Sequence, residues 1–155
     1  MTNFFDLSNL TLADSRLSRA SLNGIPTSVA NVGVNTAYKD AYWSCNYVQS
    51  ADIDLSALGD WLSPIGTSVR NFIGTYNGQN YSIKNISFDT TNATSTALFA
   101  EIRGASLSNI VLDTAVVTAT NADNVGLLVG SVVSPAGEIT TISNIKISDA
   151  STVTR

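Results

Sequence analysis

Three stretches decide the fold: Ile83-Lys84-Asn85-Ile86-Ser87-Phe88, Leu107-Ser108-Asn109-Ile110-Val111-Leu112 and Ile142-Ser143-Asn144-Ile145-Lys146-Ile147. Each reads aliphatic-x-Asn-Ile-x-apolar, and the phrase recurs after 24 and then 35 residues. Recurrence at such a period marks one supersecondary unit used again, because a short unit buries its apolar face only by stacking on a neighbour. Around the phrases apolar and polar residues alternate, as at Asp52-Ile53-Asp54-Leu55, and β-branched residues are frequent, which is strand chemistry. Turn formers punctuate the strands: Gly59-Asp60, Pro64 with Gly66, Asn77-Gly78, Gly104, Asn121 to Asn124, and Pro135 with Gly137.

Aligned on the phrase, the chain divides into coils of about 24 to 28 residues, at about 72–96 and 97–124 and from 125 onward. Phe72-Ile73-Gly74-Thr75, Leu98-Phe99-Ala100-Glu101 and Leu127-Leu128-Val129-Gly130 then open successive coils. The longer last interval is assigned to a loop inserted at Ser131 to Glu138. Such coils gain a core by pairing equivalent strands in parallel, so the fold class expected is an all-β, right-handed parallel β-helix, the hand following from the crossover rule. Asn85, Asn109 and Asn144 are expected one above another at a corner, where Asn tolerates left-handed backbone and its amide reaches the next coil.

The division expected is a cap over 1–25, a connecting segment over 26–46 and coils over 47–155. In the cap, Leu7, Leu12, Leu17 and Leu22 recur every five residues. That spacing resembles pentapeptide repeats; a helix from Thr11 to Leu22, capped by Thr11 and ended by Gly24, fits the same stretch. Either covers the open edge of the first coil.

Composition removes several chemistries. Eight Lys and Arg in a chain of net charge −4 do not supply the electrostatics of nucleic-acid binding. One cysteine, Cys45, and no histidine leave no intrachain disulfide, no Cys/His zinc site and no histidine-dependent triad, so Cys45 reads as a small buried hydrophobe. Met1 to Leu10 show no Sec-type signal peptide, and no stretch is long and apolar enough to be a membrane span. No cofactor motif is present.

Asp52-Ile53-Asp54-Leu55-Ser56, Trp61-Leu62-Ser63-Pro64-Ile65-Gly66 and Phe72 to Ile86, in that order, resemble the GLUG-motif β-helix proteins. Val125-Gly126-Leu127-Leu128-Val129-Gly130 is similar to their name-giving motif, with Leu127 in place of a glycine. The resemblance covers about 47–155 and implies a structural or adhesive role, at a cell surface or in a virion, with no catalytic residue to carry over.

The candidate sites are few. Asp52 and Asp54, two apart on a strand, present both carboxylates to one side. That is a starting point for polysaccharide hydrolase or lyase chemistry or, with Asp60, for calcium, although alternation alone produces it. Trp43 and Trp61, with Tyr38, Tyr42, Tyr47 and Tyr76, form either a sugar-stacking platform or the packing that seals the first coil, and sealing is the simpler account. No catalytic or metal site is assigned. Ser148 to Arg155 carry little charge and no helix pattern, so the expectation is either a fragment of a longer solenoid or a stack end covered by self-association, a homotrimer included, or by a neighbouring structural protein. A glycan or cell-surface receptor is the ligand class such a rod would meet.

Overall fold

The computed structural model describes residues 43–44, 46–49, 51–56 and 64–155. The cap over 1–25, most of the connecting segment 26–46, and Tyr38, Tyr42, Cys45, Asp60 and Trp61 lie outside the described residues. The described elements are all strands: β1 (Asn46–Val48), β2 (Ile53–Asp54), β3 (Thr75–Asn77), β4 (Ser82–Thr91), β5 (Ser95–Thr96), β6 (Phe99–Arg103), β7 (Ser106–Thr120), β8 (Asn124–Val125), β9 (Val129–Val133), β10 (Thr141–Ile147) and β11 (Thr152–Thr154). All pairs among them are parallel, and the strands curl into a half-barrel.

Register corrects the expected coil length. Asn46 faces Thr75, Ile53 faces Ile83, Ser82 faces Val111, Ser95 faces Asn124, Phe99 faces Val129 and Thr141 faces Ser106, intervals of 29 to 35 residues. The 24-residue interval between the first two phrases is therefore not a stacking distance. The reason lies in the backbone. Asn85, Asn109 and Asn144 have φ of 57°, 53° and 50°, and each bends its strand. Asn85 is level with Thr114, also left-handed at 60°, between the pairs Lys84↔Asp113 and Ile86↔Ala115. Asn109 is level with Asn144, between Ser108↔Ser143 and Ile110↔Ile145. The three asparagines thus occupy two corners instead of one column. A left-handed residue followed by an inward aliphatic side chain suits any corner, so the phrase marks corners rather than coils.

The openings shift for a related reason. Ile65, Phe99 and Val129 are level, and Phe72 is level with Ile102, not with Leu98. The small residues that follow are Gly66, Ala100 and Gly130. At Gly66, φ is +82° and a Cβ would lie 2.2 Å from the Glu101 carbonyl oxygen of the next level, so only glycine fits.

Inward side chains stack in columns: Tyr47, Tyr76, Leu107, Ile142; Phe72, Ile102, Val132; and Ile53, Ile83, Leu112, Ile147. Phe99 packs against Phe72 and Tyr76, ring centroids 5.1 and 5.7 Å away. The interval grows from 30 residues at Val133↔Arg103 to 35 at Thr141↔Ser106, which confines the insertion to 134–140. Ser131 to Val133, expected in the loop, belong to β9 because they still pair with β6.

Candidate functional site

Asp52 and Asp54 flank and end β2, with Ile53 half-buried and both carboxylates outward, as alternation requires. Each is tied to the next coil. Asp52 Oδ1 accepts the Ser82 N–H at 2.9 Å, and Oδ2 meets Lys84 Nζ at 3.0 Å. Asp54 Oδ1 accepts Asn85 Nδ2 at 2.8 Å and the Ser56 N–H at 2.9 Å. These bonds favour the ionised form. The Ser82 amide first, and Lys84 after it, lower the Asp52 pKa, while the Asn85 amide and the Ser56 N–H bring Asp54 down to about 2. Asp52 in turn raises the pKa of Lys84. The two carboxylates tie the β2 segment to β4, and neither has the raised pKa of a general acid.

Of the candidate aromatic side chains, the described ones, Trp43, Tyr47 and Tyr76, pack into the core. Trp43 is 2 % exposed, and its carbonyl accepts the N–H groups of Ile73 and Gly74. Tyr76 is buried, and its hydroxyl donates to Gln49 Oε1 at 3.1 Å; burial pushes the phenol up. Gln49, itself buried, donates to the carbonyls of Ala51 and Ser82. This packing leaves Trp43 and Tyr76 no free ring face.

The inserted loop makes the larger concave feature. Gly104, left-handed at φ 55°, turns the chain after β6, and the loop folds back so that Glu138 meets Arg103. Arg103 Nε donates to Glu138 Oε2 at 2.8 Å and Nη2 to Oε1, a bidentate pair. Opposite stands the turn 67–71, closed by reciprocal backbone bonds between Thr67 and Arg70. Between turn and loop lies a cleft of about 630 Å³, floored by Arg103 and Gly104 and flanked by Asn71, Ile73 and Glu138. At its rim Val69 and Ile139 are 81 % and 82 % exposed. Sequence reading found the loop but not the turn across from it. The available signal was Val69-Arg70 between turn formers, with no inward partner to explain the valine.

A second cleft, about 300 Å³, lies beside the other corner, lined by Leu55, Ser56, Asn85, Ile86, Thr114 and Val116 among others. Neither Asp52 nor Asp54 lines either cleft. Among the described residues no group of three or more acidic, His or Cys side chains is placed to hold a metal ion, and no helix is long and apolar enough to cross a membrane.

Over 89 residues, 55 % of its length, the chain is 37 % identical to halomucin of Haloquadratum walsbyi. The matched part is 1 % of that protein. No protein-family profile matches the chain, and no solved structure matches it.

Proposed function

We propose that the chain forms successive coils of a right-handed parallel β-helix of the GLUG-motif kind, with a non-catalytic structural or adhesive role in a cell-surface or virion assembly. The observation that carries this reading is the register. Parallel pairing at intervals of 29 to 35 residues keeps aliphatic columns inside and polar corners outside over successive levels, which is how a stack buries a core that no single coil can. The likeness to halomucin, a mucin by name, favours a surface location. The polysaccharide-cleaving alternative is weakened by Asp52 and Asp54, whose carboxylates are engaged by Ser82, Lys84 and Asn85 of β4 and line neither of the two clefts described.

Display is the proposed mechanism: a stiff stack holds the 134–140 loop and the 67–71 turn apart, so that a ligand meets a preformed cleft. Inter-strand amide contacts by NMR and glycan-array binding of the purified chain test the two halves of the reading. Parallel contacts linking Asn46 to Thr75, Thr75 to Ser106 and Ser106 to Thr141, and a glycan signal weakened by Ile139→Ser and Val69→Ser, are expected. Antiparallel or absent contacts between these strands refute the β-helix. Hydrolysis of polysaccharide that disappears in Asp54→Asn refutes the non-catalytic role.

A further inference from the structure

Asn77 ends β3 and is followed by Gly78. An asparagine before glycine is open to loss of its side-chain amide, because a residue without a Cβ lets its backbone nitrogen swing onto the preceding side chain. The reaction needs only water. The Gly78 main-chain nitrogen bonds to Asn77 Cγ and passes its proton through water to Nδ2; the Cγ–Nδ2 bond breaks and ammonia leaves. Water then opens the resulting succinimide at Cγ, giving aspartate, or at the main-chain carbonyl, giving isoaspartate.

The fold restrains both reacting groups. The Gly78 N–H donates to the Ser108 carbonyl at 2.9 Å. Asn77 Oδ1 accepts the Gln79 N–H and Asn109 Nδ2, both at 3.0 Å. Asn77 is paired with Ser108 in β7, and ring closure requires it to rotate out of that strand. Gly78 is buried, and a Cβ there would lie 2.5 Å from the Asn109 carbonyl oxygen, so a side chain would push the corner aside. The Asn109 corner therefore demands the glycine that makes Asn77 labile, and its amide helps to hold Asn77 in place.

On β2 an aspartate already stands in the equivalent position. Asp54 is paired with Lys84, just before the corner at Asn85, as Asn77 is paired with Ser108, just before the corner at Asn109. Asp54 Oδ1 accepts the N–H of Ser56, two residues on, and Nδ2 of Asn85. These are the two bonds that Asn77 makes. A carboxylate fits this setting and accepts both bonds more strongly than an amide oxygen does.

We infer that Asn77 is a modification site gated by the Asn109 corner. Closed, the corner blocks the succinimide; opened, it releases deamidation, and the aspartate product re-forms the corner. This needs only the geometry of β3 and β7, and stands whether or not the chain is adhesive.

Deamidation at Asn77 and hydrogen exchange at Gly78 remove the same amide proton, and both require the bond to Ser108 to break, so one opening governs both rates. The full chain is incubated at neutral pH, folded and in unfolding urea. Peptide mapping by mass spectrometry separates Asn77 from the other pair, Asn23-Gly24, and NMR reads exchange at Gly78. Folding is expected to slow the two reactions by the same factor. Asn109→Gly keeps the left-handed backbone and removes one bond to Asn77, which should speed both about 5-fold, the worth of one neutral hydrogen bond; unchanged exchange in β4 confirms that the variant is folded. Urea below the unfolding transition should raise both rates in parallel in the unaltered chain. Asn77→Asp should leave Gly78 exchange as slow as before, or slower. Three results overturn the inference: deamidation of Asn77 as fast in the folded chain as in the unfolded one; changes in the two rates by different factors; or fast exchange at Gly78 in Asn77→Asp while β4 stays protected.

Discussion

At Asn109 three demands meet: a left-handed φ, an amide donated to Asn77 and an acceptor offered to Asn144. Asn109→Gly keeps the first and loses the others, whereas Asn109→Ala loses all three. Urea unfolding should show losses of about 2 kcal/mol for Gly, from two hydrogen bonds of about 1 kcal/mol each, and about 3 for Ala, since left-handed backbone costs a Cβ-bearing residue about 1 kcal/mol more. Equal losses would mean that backbone strain plays no part. Thr114 is the reverse case, a β-branched residue held at φ 60° level with Asn85. Thr114→Asn, which places the usual corner residue there, is expected to raise stability by about 1 kcal/mol in the same assay. Asp54 supplies a pH dependence. Its folded pKa, about 2, lies below its ordinary 3.8. A depressed pKa gives stability that is complete above the unfolded value and is lost as pH falls through the folded one. The midpoint of unfolding should therefore drop between about pH 4 and pH 2, and Asp54→Asn should flatten the curve in that window.

At the scale of elements, the bends let a strand such as β7, Ser106 to Thr120, keep its pairing through the corners at Asn109 and Thr114. The corners at Asn85, Asn109 and Asn144 were legible in the sequence as Asn before Ile, and the one at Thr114 was not. Their assignment to levels was not, because a local phrase fixes a local backbone shape and carries no record of which distant strand lies above it. Core aromatics read the same way: Phe72, Tyr76 and Phe99 were visible as apolar positions, but their mutual contact depends on levels about thirty residues apart. Phe99→Ala removes the ring that touches both others and should cost about 3 to 5 kcal/mol in chemical denaturation. The inserted loop behaves differently. Shortening 134–140 to the length of the earlier level removes Glu138 and opens the cleft, yet should shift stability by less than about 1 kcal/mol, because loop closure depends weakly on length. Exchange rates in β9 and β10 that stay unchanged would bear this out.

Over the whole molecule, few charges and many neutral polar side chains place stability in the columns and ladders. Two exposed pairs among the described residues, Asp52 with Lys84 and Arg103 with Glu138, contribute little once salt screens them. Stability should then be graded across the parallel strands according to how each is paired. β7 is paired along both edges, by β3 and β4 on one side and β10 and β11 on the other. Native-state hydrogen exchange is expected to be slowest in β7 and fastest in β11, with β10 between them. Uniform protection across the three would mean that the stack unfolds as a single unit.

By itself the sequence determined alternating strands from Asp52 onward, the outward side of Asp52 and Asp54, the asparagines at three of the bends, and a chain without histidine. These follow from short-range physics: side-chain direction along a strand, the steric cost of left-handed backbone, and the ionisable groups available. The tertiary structure alone decided that the three phrases occupy two corners, that the insertion begins after β9, and that Val69 and Arg70 face Glu138 and Ile139 across a cleft. Each of those depends on register between segments 29 to 35 residues apart. Register is set when whole columns of side chains fit together, and no single stretch of sequence contains a column.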